Sequence, residues 1–538
     1  MWTAAAAERG TTIHRVRMHG AAGLDALSAR LRAGRAIEQV AGNVTLPAGA
    51  ILCVRRLRDP RPGQLRLSRS EAAPAAWTRA VEQALADLAS RAAHPASGSV
   101  AAGAEAVIFD DRAQMLACLA ADWCRGAIAS QWWWRALLGA LSEAEAVLRA
   151  WRRHPEYIAA ALEDMARRRD AVMFVRRLPE ASTAALLEDV VAAHGLSPRV
   201  VSTVTGDATP PAPPAEPRAA AAQRSPQQAA IMAAEIWQRS APEALVDGLR
   251  TDQQVLLGVA LTLRRDPARA RDHDFVRDVV RWHAVSRRAD APRATREPEL
   301  ILEFPPHAID SPHHVTRTSG PIAAAPTNVI HPKRVPLEQE TRAAITPIVI
   351  EPASPTPASA IDDAAGHVAR AVRGGIVAVE TEIGGVFYLL NVALALGLYA
   401  DFTAPLGPRL DASIWRFISL VGRGLLRGGN PDDPLWSLLI DLAGPVLPDG
   451  RDSGSTFDRL IRGHTRRIRA RVARSLDVPV SRAGALLCRH HAHVRASLSH
   501  VDVTFSLAAL PIAIRLAGLD RDPGWIPAAD RIVSFRYE

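Results

Sequence analysis

At 538 residues the chain is too long for a single hydrophobic core, and length alone predicts several bodies. The net charge of +9 is carried by 65 basic residues, of which Lys333 is the sole lysine, among 56 interspersed acidic ones. This arginine-for-lysine usage fits a GC-rich coding bias better than a specific nucleic-acid surface. Cys53, Cys118, Cys124 and Cys488 form no CxxC pair, which argues against a disulfide framework or a zinc–cysteine site and suits a reducing, cytoplasmic compartment. The first twenty residues lack an apolar stretch behind a basic start, so Sec-type export is not expected.

In chain order, residues 12–18 suit a short strand, residues 24–40 carry leucine and valine at helical spacing, and residues 51–57 suit a second strand ending at Asp59-Pro60. This is a small strand-helix-strand unit. A helix through Trp77, Val81, Leu85 and Leu88 follows. Asp110 or Asp111 is placed to cap a helix presenting Met115, Leu116, Leu119 and Trp123, with Gly126 at its stop. Trp132, Trp133 and Trp134 come next, and read as core or interface anchors. Further helices run to His194, completing an α-rich N-terminal domain over residues 1–200.

Residues 201–226 contain TPPAPPAEP, a linker, since proline removes amide donors and clashes with a preceding turn. Residues 227–290 return to helical spacing as a small unit. The tract 291–360 carries prolines throughout and reads as a disordered tether.

Residues 361–538 form the expected C-terminal body. Its centre is the eighteen-residue uncharged run 383–400, between Glu382 and Asp401. Gly384-Gly385 shortens that helix, Asn391 interrupts it, and neither a polybasic flank nor an aromatic belt is present, so a buried helix is expected rather than a membrane span, with Leu394 in its core. Residues 414–426 and 435–442 continue as helices. Seven arginines stand in residues 459–474 opposite Ile461, Ile468, Val472 and Leu476, an amphipathic helix with a solvated side or a docking face for an acidic partner. Alternation over 494–498, 501–507 and 512–516 predicts two or three antiparallel strands, and residues 532–535 suit one more. The expected fold is mainly α: helical bodies on proline-rich tethers, a small N-terminal strand-helix-strand unit and a short C-terminal antiparallel β element.

Catalytic signatures are sparse. The sequence has no Walker loop, GxSxG elbow or HExxH helix. His490, His491, His493, His500 and Asp502 are the one metal-like cluster, in which His491 with His493 and His500 with Asp502 can each share a strand face and meet across a hairpin on zinc or iron. His313-His314 lies in the tether. The reading is non-enzymatic, without a cofactor.

Three places resemble the tape measure family of contractile injection systems, phage-tail-like particles. They are Ile13-His14-Arg15 with the strand ending Val54-Arg55-Arg56-Leu57, the helix of Leu116 and Leu119 that stops at Gly126 before Trp132-Trp133, and the run from Gly384-Gly385-Val386 to Leu396-Gly397-Leu398. The family has a proline before its paired tryptophans where this chain has Ser130-Gln131. The resemblance implies a structural or assembly component, with tail tube, baseplate or assembly proteins as partners and no specific nucleic acid or membrane. A fully helical chain of this length would reach roughly 800 Å at about 1.5 Å per residue, but the prolines forbid one continuous helix. The alternatives are a cytoplasmic helical adaptor unrelated to such particles and a metal-dependent enzyme built on the C-terminal histidines.

Overall fold

The Asp111 carboxylate begins the helix Arg112–Cys124 in this computed structural model. Side-chain oxygen Oδ1 accepts from the Gln114 amide at 2.8 Å and satisfies one of the open donors of the first turn. The structure describes residues 26–44, 46–47, 49–62, 73–101, 103–135, 141–200, 226–270, 272–290, 376–399, 413–427, 429–444 and 454–538. The expected strand at 12–18, the tether 291–360 and residues 201–225 of the expected linker 201–226 lie outside them, whereas Pro226 is the first residue of a helix.

In the N-terminal half, α1 (Ala26–Asn43) precedes β1 (Ile51–Val54), α2 (Ala75–Ser90) and β2 (Ala106–Phe109). Strand β1 pairs antiparallel with β2, Ile51 opposite Phe109, and β2 is a partner that the sequence pattern did not reveal. Then follow α3 (Arg112–Cys124), α4 (Glu143–Arg152), α5 (Ile158–Arg167), α6 (Ala171–Arg177), α7 (Glu180–Ala193), α8 (Pro226–Trp237), α9 (Thr251–Arg265) and α10 (His273–Asp290). Helix α4 opens on a reciprocal capping box between Ser142 and Glu145. Helices α8 to α10, expected as a separate unit, share one core with α3 to α7. Trp151, Phe174, Trp237 and Leu256 are all fully buried in it.

The C-terminal half holds β3 (Val377–Thr381), α11 (Tyr388–Ala395), α12 (Ile414–Leu426), α13 (Pro434–Ala443), α14 (Gly454–Ser475), α15 (Val480–Cys488), β4 (Ala492–Ala496), β5 (His500–Phe505), α16 (Ile512–Leu516), β6 (Gly524–Ile526) and β7 (Arg531–Tyr537). The sheet order is β3-β4-β5-β7-β6. Strands β4 and β5 are antiparallel neighbours, as the alternation predicts; β3, not expected as a strand, pairs antiparallel with β4, and β7 runs parallel to β5. Residues 512–516 form a single helical turn instead of the expected strand. Pro511 stands at its N-cap, and only Ile514 of its three alternating apolar residues is buried.

The run 383–400 is buried at its start and short. A 3-10 turn, Gly384–Phe387, leads into α11, and Gly397 ends the segment with φ +63°. Residues Val386 to Leu390 are fully buried, whereas Leu394 is half-buried. The two glycines are required by proximity. A Cβ on Gly384 would lie 2.3 Å from the Ala492 Cβ and one on Gly385 2.1 Å from the Leu487 carbonyl oxygen, while the Gly384 amide donates to the His490 carbonyl at 2.8 Å. Asn391 donates to the carbonyls of Leu519 and Arg521, which satisfies the one amide on an otherwise apolar segment. Among the described residues no helix is long and apolar enough to cross a membrane.

The described residues of 1–291 and 362–538 belong to one compact unit. The β4–β5 turn joins the two cores: Leu498 is buried in the N-terminal one, and the sheet's other face packs its own core around Tyr388, Trp415 and Phe505. The sequence reading assigns these segments to separate bodies, because a proline-rich tract between two stretches says nothing about contacts that bridge it.

Candidate functional site

Strand alternation puts Glu380 and His493 on the exposed face of the sheet. The two are direct partners in the β3–β4 register, while Val379 and Val494 point into the core. His491 precedes β4 by one residue and shares that face. Its Nε2 lies 2.8 Å from Glu380 Oε1, and its ring meets His493 edge to face with centroids 5.1 Å apart. One ligand atom from each of the three lies within 4.8 Å of the others.

His500 and Asp502 do not join them, so the two pairs expected to meet across a hairpin, His491 with His493 and His500 with Asp502, do not converge. His500 is buried behind the β4–β5 turn, with its ring stacked on Tyr157 at 5.8 Å and Nδ1 3.1 Å from Ser499 Oγ. Gly49 makes room for that ring, since a Cβ there would meet it at 2.7 Å. Burial holds the His500 pKa below the ordinary histidine value. Asp502 is buried opposite Arg495 and lines, with Asp110 and Ser497, a cavity of about 10 Å³, room for one water. His490 is turned inward as well, Nε2 on the Leu486 carbonyl at 2.8 Å, and burial lowers its pKa. His313-His314 lies outside the described residues.

Asp111, Ser499 and His500 bring a carboxylate, a hydroxyl and an imidazole together. Ser499 Oγ donates to Asp111 Oδ2 at 2.7 Å and contacts His500 Nδ1 at 3.1 Å. Nucleophilic catalysis needs the imidazole between the other two, taking the serine proton while the carboxylate orients its far nitrogen. Here the serine is in the middle and fully buried. The same Asp111 oxygen accepts from the Ser499 amide at 2.9 Å and Ser497 Oγ at 2.6 Å, so this set fastens the β4–β5 turn to the start of α3. A second buried set lies nearby. Asp530 accepts from His194 Nε2 at 2.9 Å and from the Arg264 guanidinium, which also donates to the Leu498 carbonyl at 2.7 Å. Burial by itself would raise the Asp530 pKa, but Arg264 and His194 hold it below the usual carboxylate range.

The tryptophans take the anchoring role. Trp133 and Trp134 are buried, Trp134 stacks on Phe109 at 5.4 Å, and its indole donates to Asp122 at 2.8 Å. Trp132 is half-buried against the same core. All four cysteines are free thiols, and burial pushes Cys53, Cys118 and Cys124 up to about 11 and Cys488 to about 12, values unsuited to a nucleophile.

Helix α14 meets the sequence expectation: Ile461, Ile468, Val472 and Leu476 are buried, and Arg459, Arg466, Arg467 and Arg471 are exposed. Between α12 and α14 runs an open trough of about 600 Å³ lined by Arg459, Arg462, Arg466 and Arg469 together with Leu420 and Ile461. Arg469 donates to the Gly424 carbonyl at 2.6 Å, in the last turn of α12, where a cation complements the helix dipole. Gly424 lets the helices close, as its Cβ would sit 3.0 Å from Thr465 Cγ2. The trough therefore sets four guanidinium groups, of which Arg469 is held by the α12 terminus, beside apolar surface.

No protein-family model, curated protein or solved structure matches the chain. Sequence reasoning missed Glu380, Asp530 and Arg264. The alternation in Val377-Ala378-Val379-Glu380-Thr381 is visible, and it would have put Glu380 on a polar strand face. Its pairing with His493 depends on a register that no local pattern encodes.

Proposed function

We propose that this chain is a non-enzymatic structural or assembly component of a contractile injection particle, tape-measure-like, that works through protein partners such as tail tube, baseplate or assembly proteins. The observation that supports this reading most is the role of the residues that carry the resemblance. Leu116, Leu119 and Trp133 are buried in one core, Gly126 ends α3 with φ +68°, and Gly384 and Gly385 permit the closest approach in the other core. The likeness is thus one of scaffold packing, as a structural component requires. The arginine trough supplies a docking face for an acidic protein surface. The same trough suits an adaptor unrelated to such particles. A metal-dependent enzyme is less well supported, because His500 and Asp502 are buried away from His491 and His493.

The test is electron microscopy of particles from cells whose copy of this gene is deleted. Loss or altered length of contractile particles is expected, and normal particles would leave the adaptor reading. Removing residues 201–226 or 291–360 separates the two roles within the proposal: shortened particles indicate a ruler, unchanged length an assembly factor. Charge reversal at Arg459 and Arg466 is expected to abolish co-purification of the docked protein.

A further inference from the structure

The geometry points to a divalent metal site on the exposed face of the C-terminal sheet, with His491, His493 and Glu380 as ligands and zinc as the ion it takes. Three features carry this. The first is the donor set: two imidazoles and a carboxylate suit zinc and related first-row ions, and three protein ligands leave a position open for water or a fourth ligand from a partner. The second is how the set is built. Glu380 and His493 are locked opposite each other by β3–β4 pairing, and His491 lies two residues from His493 on the same face. The third is proximity, with all three ligand atoms within 4.8 Å. Ligand atoms around one tetrahedral zinc stand about 3.3 Å apart, given bonds near 2 Å, so small side-chain rotations complete the site. Glu380 and His491 are 66% and 37% exposed, which leaves them free to make those rotations.

The competing explanation is a plain ion pair, because His491 Nε2 already meets Glu380 Oε1 at 2.8 Å. An ion pair needs one imidazole. The second one, His493, is brought to the same point by the register and gains nothing from that pair. Zinc would replace the proton shared between His491 and Glu380 and draw His493 into the shell. The inference is independent of the particle reading, since it uses only the sheet.

Untagged full-length protein, stripped with a chelator, is titrated with zinc against a chromophoric competitor and separately with cobalt, whose visible spectrum reports its coordination. One zinc per chain and a low-symmetry cobalt spectrum are expected. His493→Ala, His491→Ala and Glu380→Gln should each weaken zinc binding by at least the roughly tenfold that loss of even an outer partner costs. His94→Ala, at another exposed histidine, should leave it unchanged. Thermal unfolding of the metal-free variants should match the parent, because the three side chains lie on a solvated face. Absence of one-to-one binding, or binding that survives the double change His491→Ala with His493→Ala, overturns the assignment.

Discussion

Asp111 and Ser499 are joined side chain to side chain at 2.7 Å across 388 positions of sequence. The aspartate that caps α3 is the acceptor that holds the β4–β5 turn, so one carboxylate serves a local and a long-range role.

Replacing Asp111 with alanine removes an N-cap and takes from the buried Ser499 amide its 2.9 Å acceptor, leaving only the long contact to Ser497 Oγ at 3.4 Å. A cap is worth about 1 kcal/mol and an orphaned buried donor about 1–3 kcal/mol. Stability should fall by roughly 2–4 kcal/mol, read from denaturant midpoints. The N-terminal and C-terminal tryptophans, Trp134 and Trp415, should report one shared transition; two separate transitions would show that the halves fold independently.

Asp530 to alanine leaves the buried Arg264 guanidinium unpaired, and a loss of about 3–5 kcal/mol is expected. Double change with Arg264→Met should recover part of that loss, because an apolar pair of similar volume avoids burying a lone charge. A double mutant no more stable than the single one would sink this account.

Gly385→Ala pushes a methyl group toward the Leu487 carbonyl and should lower stability by about 1–3 kcal/mol or more. Gly34→Ala, in a helix with nothing within 4 Å of the new Cβ, should instead raise it by about 0.5–1 kcal/mol. Calorimetry of the two variants checks both signs. Within the buried run, Leu390→Asp should unfold the C-terminal core, while Leu394→Asp, at a half-buried position, should be milder.

Acid should destabilise the fold through His490 and His500. Burial depresses both native pKa values from the ordinary 6.5, although Asp111 and Glu156 raise that of His500 and Arg112 lowers it. The unfolded chain therefore binds more protons than the native one once pH drops toward 6.5, and stability declines from there until the depressed native values are passed. Asp530 adds a later loss of the same sign. Its native pKa is lowered, so its contribution is present above the unfolded carboxylate value and disappears as pH falls through the native one. Stability measured in half-unit steps should drop first through the histidine window. His500→Gln should flatten that part of the profile.

Much of the helical architecture is legible from spacing. Leu116, Leu119, Asp111 and Gly126 define α3 with both ends, and the arginines of α14 are exposed opposite its isoleucines. The misreading at 512–516 has a simple cause: five residues with apolar side chains at alternate positions fit either period. Pro511 ahead and Gly518 behind, with φ +66°, decide for a helical turn. The metal-ligand set was half legible. His491 and His493 share a face by strand geometry, but Glu380 reaches them only because β3 pairs with β4, which brings it to His491 across 111 residues of sequence. The buried sets at Asp111 and Asp530 were beyond reach, since each is assembled from segments on both sides of the proline-rich tract.

The turn that inserts Leu498 into the N-terminal core also sets a timetable for synthesis. Ser499 trails Asp111 by 388 residues, a delay of roughly 20–80 seconds at about 5–20 residues per second. Until Leu498 is made the nascent N-terminal half holds an apolar gap at its place, and the Arg264 guanidinium waits a further 266 residues for Asp530, roughly 13–53 seconds at the same about 5–20 residues per second. A growing chain in that condition carries the kind of transiently exposed apolar surface that makes incompletely folded species prone to aggregate.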